Sequence, residues 1–307
     1  MSKNVMVAVV ALLVLPAACA DEGGEDLSPL VAKVLVIGID GVRPDVLREV
    51  ETPHLDALAA GGVLIENART GFPTVSGPGW SSFLTGVWPD KHGVTDNEFT
   101  GKRYDLYPDF LTRIERARPE LSTFAVADWL PLVHAEDGDP TVGDEVDARH
   151  VLDGYETGWP EADRQSVELA LQALASGDPD ALFVYLGTPD EVSHEHGSIG
   201  DEYRRAIATA DEQVGALVAA IRARPTFARE DWLIVSSTDH GRRADGGHGT
   251  DTPEERTIYF LVSGPSVTPE AVPDSVFVVD VAVTALTHMG IPIDGEWSLD
   301  GRPVGIR

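Results

Sequence analysis

The chain has 307 residues, 43% hydrophobic and 24% charged, which suits one sizeable α/β domain or two small ones. Its formal net charge of −28 argues against a nucleic-acid or anionic-membrane surface, since both need basic patches. The same charge repels anionic substrates, so chemistry on one of them demands strong local positive charge.

At the start, Lys3 precedes an apolar run from Val5 to Leu15, and Cys19, the sole cysteine, lies in PAACA at 16–20. With one cysteine no intrachain disulfide can form. The apolar run is too short to span a bilayer and reads as the core of a signal peptide over 1–19. Small residues ahead of a lone cysteine resemble a bacterial lipoprotein signal with Cys19 lipidated, and Ala18-Cys-Ala20 also suits ordinary cleavage. Either way the chain is expected to be exported, as a cell-envelope lipoprotein or as a periplasmic or secreted protein. Residues 20–29 read as a flexible tether and 30–307 as one domain. Any membrane contact would run only through the lipid on Cys19.

KVLVIGI at 33–39 is a continuous apolar, β-branched run that reads as a buried parallel strand ending at Asp40-Gly41. TPHLDALAA at 52–60 reads as a short helix closed by Gly61-Gly62. Residues 100–160 are less regular, rich in Asp, Gly and Pro, and read as a small irregular insertion or cap. Two more buried strands follow at 181–187 and 232–237, with a long amphipathic helix at 203–224 stopped by Pro225. VFVVDVAVTAL at 276–286 reads as another strand and helix. This alternation predicts an α/β fold: a mostly parallel central sheet with helices on both faces.

Ligands of open α/β sheets bind beyond the carboxyl ends of the strands. The residues there are Asp40-Gly41, TPDEVSHEHG at 188–197 and TDHG at 238–241, followed by GGHG at 246–249. All three strands thus deliver an aspartate to one edge, and two add histidine. Asp190 and His194, four apart, share one side of a helical turn. Asp239 and His240 converge only if the backbone turns, which Gly241 permits. Carboxylate with imidazole suits zinc or another divalent transition ion better than calcium or magnesium. Three aspartates and three histidines exceed one tetrahedral site and match two, a common device for phosphoryl transfer. Against this stand plainer readings: Asp40 as a helix cap, His196 as a spare surface histidine, and Asp239-His240 as a metal-free acid–base couple. GFPTVSGPGWSSFLTG at 71–86 offers Thr74, Ser76, Ser81 and Ser82 as hydroxyls, any of which would need activation to serve as a nucleophile.

VIGIDG at 36–41, the hydroxyl segment through LTGVWP at 84–89, HGVTDN at 92–97, PDEVSHEHG at 189–197, TDHG at 238–241 and GHG at 247–249 run in an order that resembles the alkaline phosphatase superfamily. DGR at 300–302 resembles a common close of that superfamily. The chain is most similar to the type I phosphodiesterase/nucleotide pyrophosphatase branch. The resemblance implies an alkaline-phosphatase-like catalytic domain over 30–307 with two divalent metal ions, zinc by preference. Asp190, His194 and His248 would hold one ion; Asp40, Asp239 and His240 would hold the other, with the nucleophile oxygen beside it. The family nucleophile lies ten residues before the Thr-Gly glycine with proline two residues after it, which selects Ser76 over Thr74. Asn97 matches the asparagine that donates to a phosphoryl oxygen. Tyr185 matches an aromatic that lines a nucleotide pocket, or is a core residue. His92 reads as structural; His54, His134, His150 and His288 receive no role.

Gly77 stands where nucleotide-handling relatives carry a stacking phenylalanine, and only seven residues separate His240 from His248, where those relatives insert a long covering segment. Both departures imply a small, open pocket that takes a phosphoryl group and grips little else. The expected activity is hydrolysis of a small phosphoric ester, diester or monoester, through a metal-activated Ser76 and a phosphoseryl intermediate. The alternatives are a sulfatase of the same superfamily, although Trp80 stands where its motif requires arginine, and a non-catalytic cell-surface metal-binding relative.

Overall fold

The computed structural model describes residues 29–135 and 139–307. The expected signal peptide, Cys19 and nearly all of the tether lie outside these described residues. Seven strands form one sheet: β1 (Val31–Ile39), β2 (Gly62–Arg69), β3 (Thr123–Ala127), β4 (Ala148–Val151), β5 (Ala181–Leu186), β6 (Glu230–Ser237) and β7 (Thr257–Ser263), in the order β2-β7-β6-β1-β5-β3-β4. β6, β1, β5, β3 and β4 are mutually parallel, while β7 runs antiparallel to both β6 and β2.

Alternation along β1 explains the two layers. Val34 and Val36 point into one apolar cluster with Trp80, Phe83, Phe110 and Ala282, and Leu35, Ile37 and Ile39 point into another with Leu55, Val167, Tyr203 and Val214. The Ser76–Thr85, Phe110–Ala117 and Asp280–His288 helices therefore cover one face. The Pro53–Ala60, Trp159–Ser176 and Asp201–Arg222 helices cover the other. A strand buried on both faces by helices must read as a continuous apolar run, as β1, β5 and β6 do.

Three sequence readings are corrected. The stretch at 276–279 is not a strand: only an isolated bridge joins Phe277 to Arg69, and the chain then enters the Asp280–His288 helix. The irregular segment at 100–160 is not merely an insertion, because it supplies β3 and β4 to the sheet as well as the Phe110–Ala117 helix. β2 and β7 lie outside the expected set altogether. No helix among the described residues is long and apolar enough to cross a membrane.

Candidate metal centre

Register places the site. Gly38 pairs with Ser237 and Ile39 with Leu186, so the residues just beyond β1, β6 and β5 emerge side by side at the carboxyl edge of the sheet. Asp40 follows β1, Asp239 and His240 follow β6, and the Thr188–His196 helix, carrying Asp190 and His194, follows β5. Two groups have donor atoms within 4.8 Å of one another: Asp40, Asp239 and His240, and Asp190, His240 and His248. His240, assigned from sequence to one position, reaches towards both. His194 lies at the rim, its side chain 45% exposed, with Nε2 3.0 Å from Asp190 Oδ2 and 3.2 Å from His248 Nε2.

The spacing fits tetrahedral coordination. Around an ion with bonds of about 2.0–2.2 Å, neighbouring ligand atoms lie about 3.3–3.6 Å apart. His240 Nε2 is 3.3 Å from Asp239 Oδ2, 3.7 Å from Asp40 Oδ1 and 3.3 Å from Ser76 Oγ. Asp40 Oδ1 and both Asp239 oxygens are buried and have no hydrogen-bond partner. Such buried orphan oxygens are costly unless something else compensates them, and a cation does so. The two rings are prepared for the same task. His240 Nδ1 lies 3.1 Å from the Gly241 carbonyl and His248 Nδ1 lies 2.8 Å from that of Thr74. A carbonyl can only accept, so each Nδ1 carries the proton and each Nε2 lone pair faces the cluster.

The electrostatics agree. Burial, then the Asp239 and Asp190 carboxylates, push the Asp40 carboxyl far above the usual range. Burial, with Asp190 adding to it, raises Asp239 to about 8. Asp190 is held well below the usual range: burial opposes its ionisation most, and the adjoining Arg242 guanidinium together with His194, His240 and His248 outweighs it. Burial lowers both His240 and His248, which keeps them neutral and able to ligate.

Ser76 opens its helix, and its Oγ faces His240. Thr74 turns elsewhere: its Oγ1 donates to the Thr250 carbonyl at 2.6 Å and lies 3.0 Å from Glu255 Oε2. Ser81 and Ser82 bond to Gly77 O and His92 within the framework. The Asn97 amide oxygen accepts the Gly77 N–H at 2.7 Å, so its NH2 group is left to face the cavity it lines. That cavity measures about 60 Å³ and is walled by Ser76, Asn97, Trp129, Tyr155, Trp159 and Glu191 besides Asp40, Asp190, His194 and His248. A larger cleft of about 580 Å³ beside Arg204 and Glu212 holds none of them.

Tyr185 does more than fill the core, and it is one of the residues lining the smaller cavity. It is buried, and its hydroxyl donates to Asp40 Oδ2 at 2.7 Å beside the Trp80 indole N–H at 2.8 Å. Gly77 has its own reason to lack a side chain, since a Cβ there would stand 2.3 Å from the Asp96 carbonyl. Gly241 is needed for close approach, with a Cβ 2.1 Å from Glu254 O, rather than for a left-handed turn. His92 is structural, buried between Ser82 and the Val94 N–H. His196 stays outside the cluster, 3.6 Å from Glu195. Sequence reasoning missed Arg242 and the indole of Trp80 as partners of the site. Nothing local announces either, because each is defined by a contact to a distant carboxylate.

The sequence profile of the type I phosphodiesterase/nucleotide pyrophosphatase family matches residues 34–121 and 127–244. Ectonucleotide pyrophosphatase/phosphodiesterase family member 7 of Rattus norvegicus is 25% identical over 265 residues, covering 78% of this chain and 56% of that protein. Bis(5'-adenosyl)-triphosphatase ENPP4 of Bos taurus is 26% identical over 231 residues, covering 71% of this chain and 49% of that protein. The chain thus spans about half the length of the curated relatives it matches. Among solved structures, murine ectonucleotide pyrophosphatase/phosphodiesterase 5 in complex with AMP aligns with a TM-score of 0.64 at 16% identity, over 84% of this chain and 95% of that one. A 2-O GAG sulfatase aligns with a TM-score of 0.69 at 12% identity, over 89% of this chain and 73% of that one. These two show a shared fold. With the profile covering well over half of the chain, the chain belongs to the type I phosphodiesterase/nucleotide pyrophosphatase family of the alkaline phosphatase superfamily.

Proposed function

We propose that the protein is an exported, metal-dependent hydrolase of small phosphoric esters that works through Ser76. The observation that carries this reading is the meeting of Asp40, Asp239 and His240 around Ser76 Oγ, with Asp190, His194 and His248 alongside. Two divalent ions fit this donor set, zinc by its carboxylate and imidazole chemistry, held by Asp40, Asp239 and His240 and by Asp190, His194 and His248. When bound, such ions lower the pKa of a hydroxyl or water and supply positive charge at the phosphoryl group.

The chain's own groups do the rest. Ser76 Oγ attacks phosphorus in line, so that its O–P bond forms as the ester P–O bond breaks and the serine proton ends on the departing oxygen, which leaves as the alcohol. Water then breaks the phosphoseryl ester and restores the hydroxyl. The Asn97 NH2 group donates to a phosphoryl oxygen where charge builds. A cavity of about 60 Å³ supports a site that takes the phosphoryl group and grips little beyond it.

Rates on p-nitrophenyl phosphate, bis-p-nitrophenyl phosphate and p-nitrophenyl sulfate test this. Chelation should abolish phosphoester turnover and Zn²⁺ should restore it. Ser76→Ala should lose more than about 99% of the rate, as expected when a nucleophile is deleted. Activity that survives chelation refutes the metal reading. Faster turnover of the sulfate would favour the sulfatase reading suggested by the fold of the 2-O GAG sulfatase.

A further inference from the structure

Arg242 lies two residues after His240 and is completely buried. A guanidinium is charged at any accessible pH, so a buried one must satisfy its donors. This one does. Nε and Nη2 donate to the Gly246 carbonyl at 2.9 and 2.6 Å, Nη1 to the Asp190 carbonyl at 3.1 Å and to Asp190 Oδ1, and Nη2 approaches His194 Nε2 at 3.0 Å. The residue ties the Thr188–His196 helix to the turn that carries His248.

Its charge falls on one side of the centre only. Asp190 is the single carboxylate of the group with His194 and His248, and it is already paired with a cation. Asp40 and Asp239 have no such partner. Asp40 Oδ2 accepts from two neutral donors, and its Oδ1 and both Asp239 oxygens have none. Counted formally, the Asp40 group presents two uncompensated negative charges, and the Asp190 group together with Arg242 presents none.

We propose that Arg242 makes the two metal positions unequal. The Asp40, Asp239 and His240 position binds its divalent ion tightly and fills first. The Asp190, His194 and His248 position, shielded by a resident cation, binds more weakly and exchanges. The inference rests on the two-ion reading above. It adds that one ion is a lasting part of the fold and the other is in traffic with its surroundings.

Zinc titration of the metal-stripped full chain by calorimetry, with the metal per chain counted after dialysis, tests it. Two steps are expected, at least about tenfold apart in Kd, given how strongly groups beside metal ligands tune affinity. His194→Ala should remove the weaker step and Asp239→Asn the stronger. Arg242→Met should narrow the gap and enlarge the rise in Tm that zinc produces, whereas Arg242→Lys, which keeps the charge, should preserve the two-step pattern. Equal steps, a weaker step lost in Asp239→Asn, or a gap that widens in Arg242→Met overturns the proposal. Equal steps in the wild type, or loss of the stronger step in His194→Ala, overturn the proposal even if the Arg242 variants do not fold. A chain that binds no zinc overturns the two-ion reading itself.

Discussion

The Asn97 side chain shows how a single residue is aimed. Because Gly77 N–H occupies its amide oxygen, the NH2 group is presented to the cavity without freedom to flip. Asn97→Ala should lower kcat about 100- to 1,000-fold on a phosphodiester, the usual loss for one donor to a developing oxyanion. Far-ultraviolet circular dichroism should be unchanged, which separates this from unfolding. The residue types at the centre were legible because aspartate and histidine followed strand-like runs. The orientation of Tyr185 was not, since its strand sequence, ALFVYL, suits a core residue and a donor to Asp40 equally well.

The helix bearing Ser76 is braced by the neighbouring Pro89–His92 turn, in which His92 Nε2 lies 3.0 Å from Ser82 Oγ and Nδ1 accepts from Val94 N–H. Burial first, then the Arg103 charge, lowers the imidazole to about 3 from its ordinary 6.5. Between those pH values the unfolded chain binds a proton that the folded one refuses. This contribution to stability is therefore intact above pH 6.5 and is lost as the pH falls towards 3. The stability advantage of wild type over His92→Gln in urea should shrink by about 1.4 kcal/mol per pH unit across that window. An advantage that grows on acidification would contradict the neutral, bonded ring. At this scale the parallel strands were readable from their length and β-branching. β2, GVLIENAR, was not, because its apolar residues sit beside the Gly61-Gly62 that ends the preceding helix and the rest is polar. The apolar 276–279 stretch reads like a strand yet serves as cover for the core, and periodicity cannot separate those roles in four residues.

Taken whole, the molecule is an anionic body whose carboxylate and imidazole cluster could hold a cation, and its net charge of −28 acts on everything that approaches. Repulsion is stronger for a dianionic monoester than for a monoanionic diester, and salt screens it. Raising ionic strength from about 0.02 to 0.2 M should therefore increase kcat/KM more for p-nitrophenyl phosphate than for bis-p-nitrophenyl phosphate, as the Debye length shortens. Equal responses would place the charge far from the approach path.

The central position of β1 has one more effect. Its hydrogen-bonded neighbours, β5 and β6, are made from residues 181–186 and 230–237, so β1, the first strand among the described residues, waits for partners about 140 to 200 residues further along. Closing such distant pairings is slow, because the intervening loop entropy must be overcome before the contacts reward it. Asp40 meets Asp239 only once that closure is complete. An ion held by both carboxylates would therefore be captured only after residue 239 has been made and folded back against β1, from whatever compartment the chain then occupies.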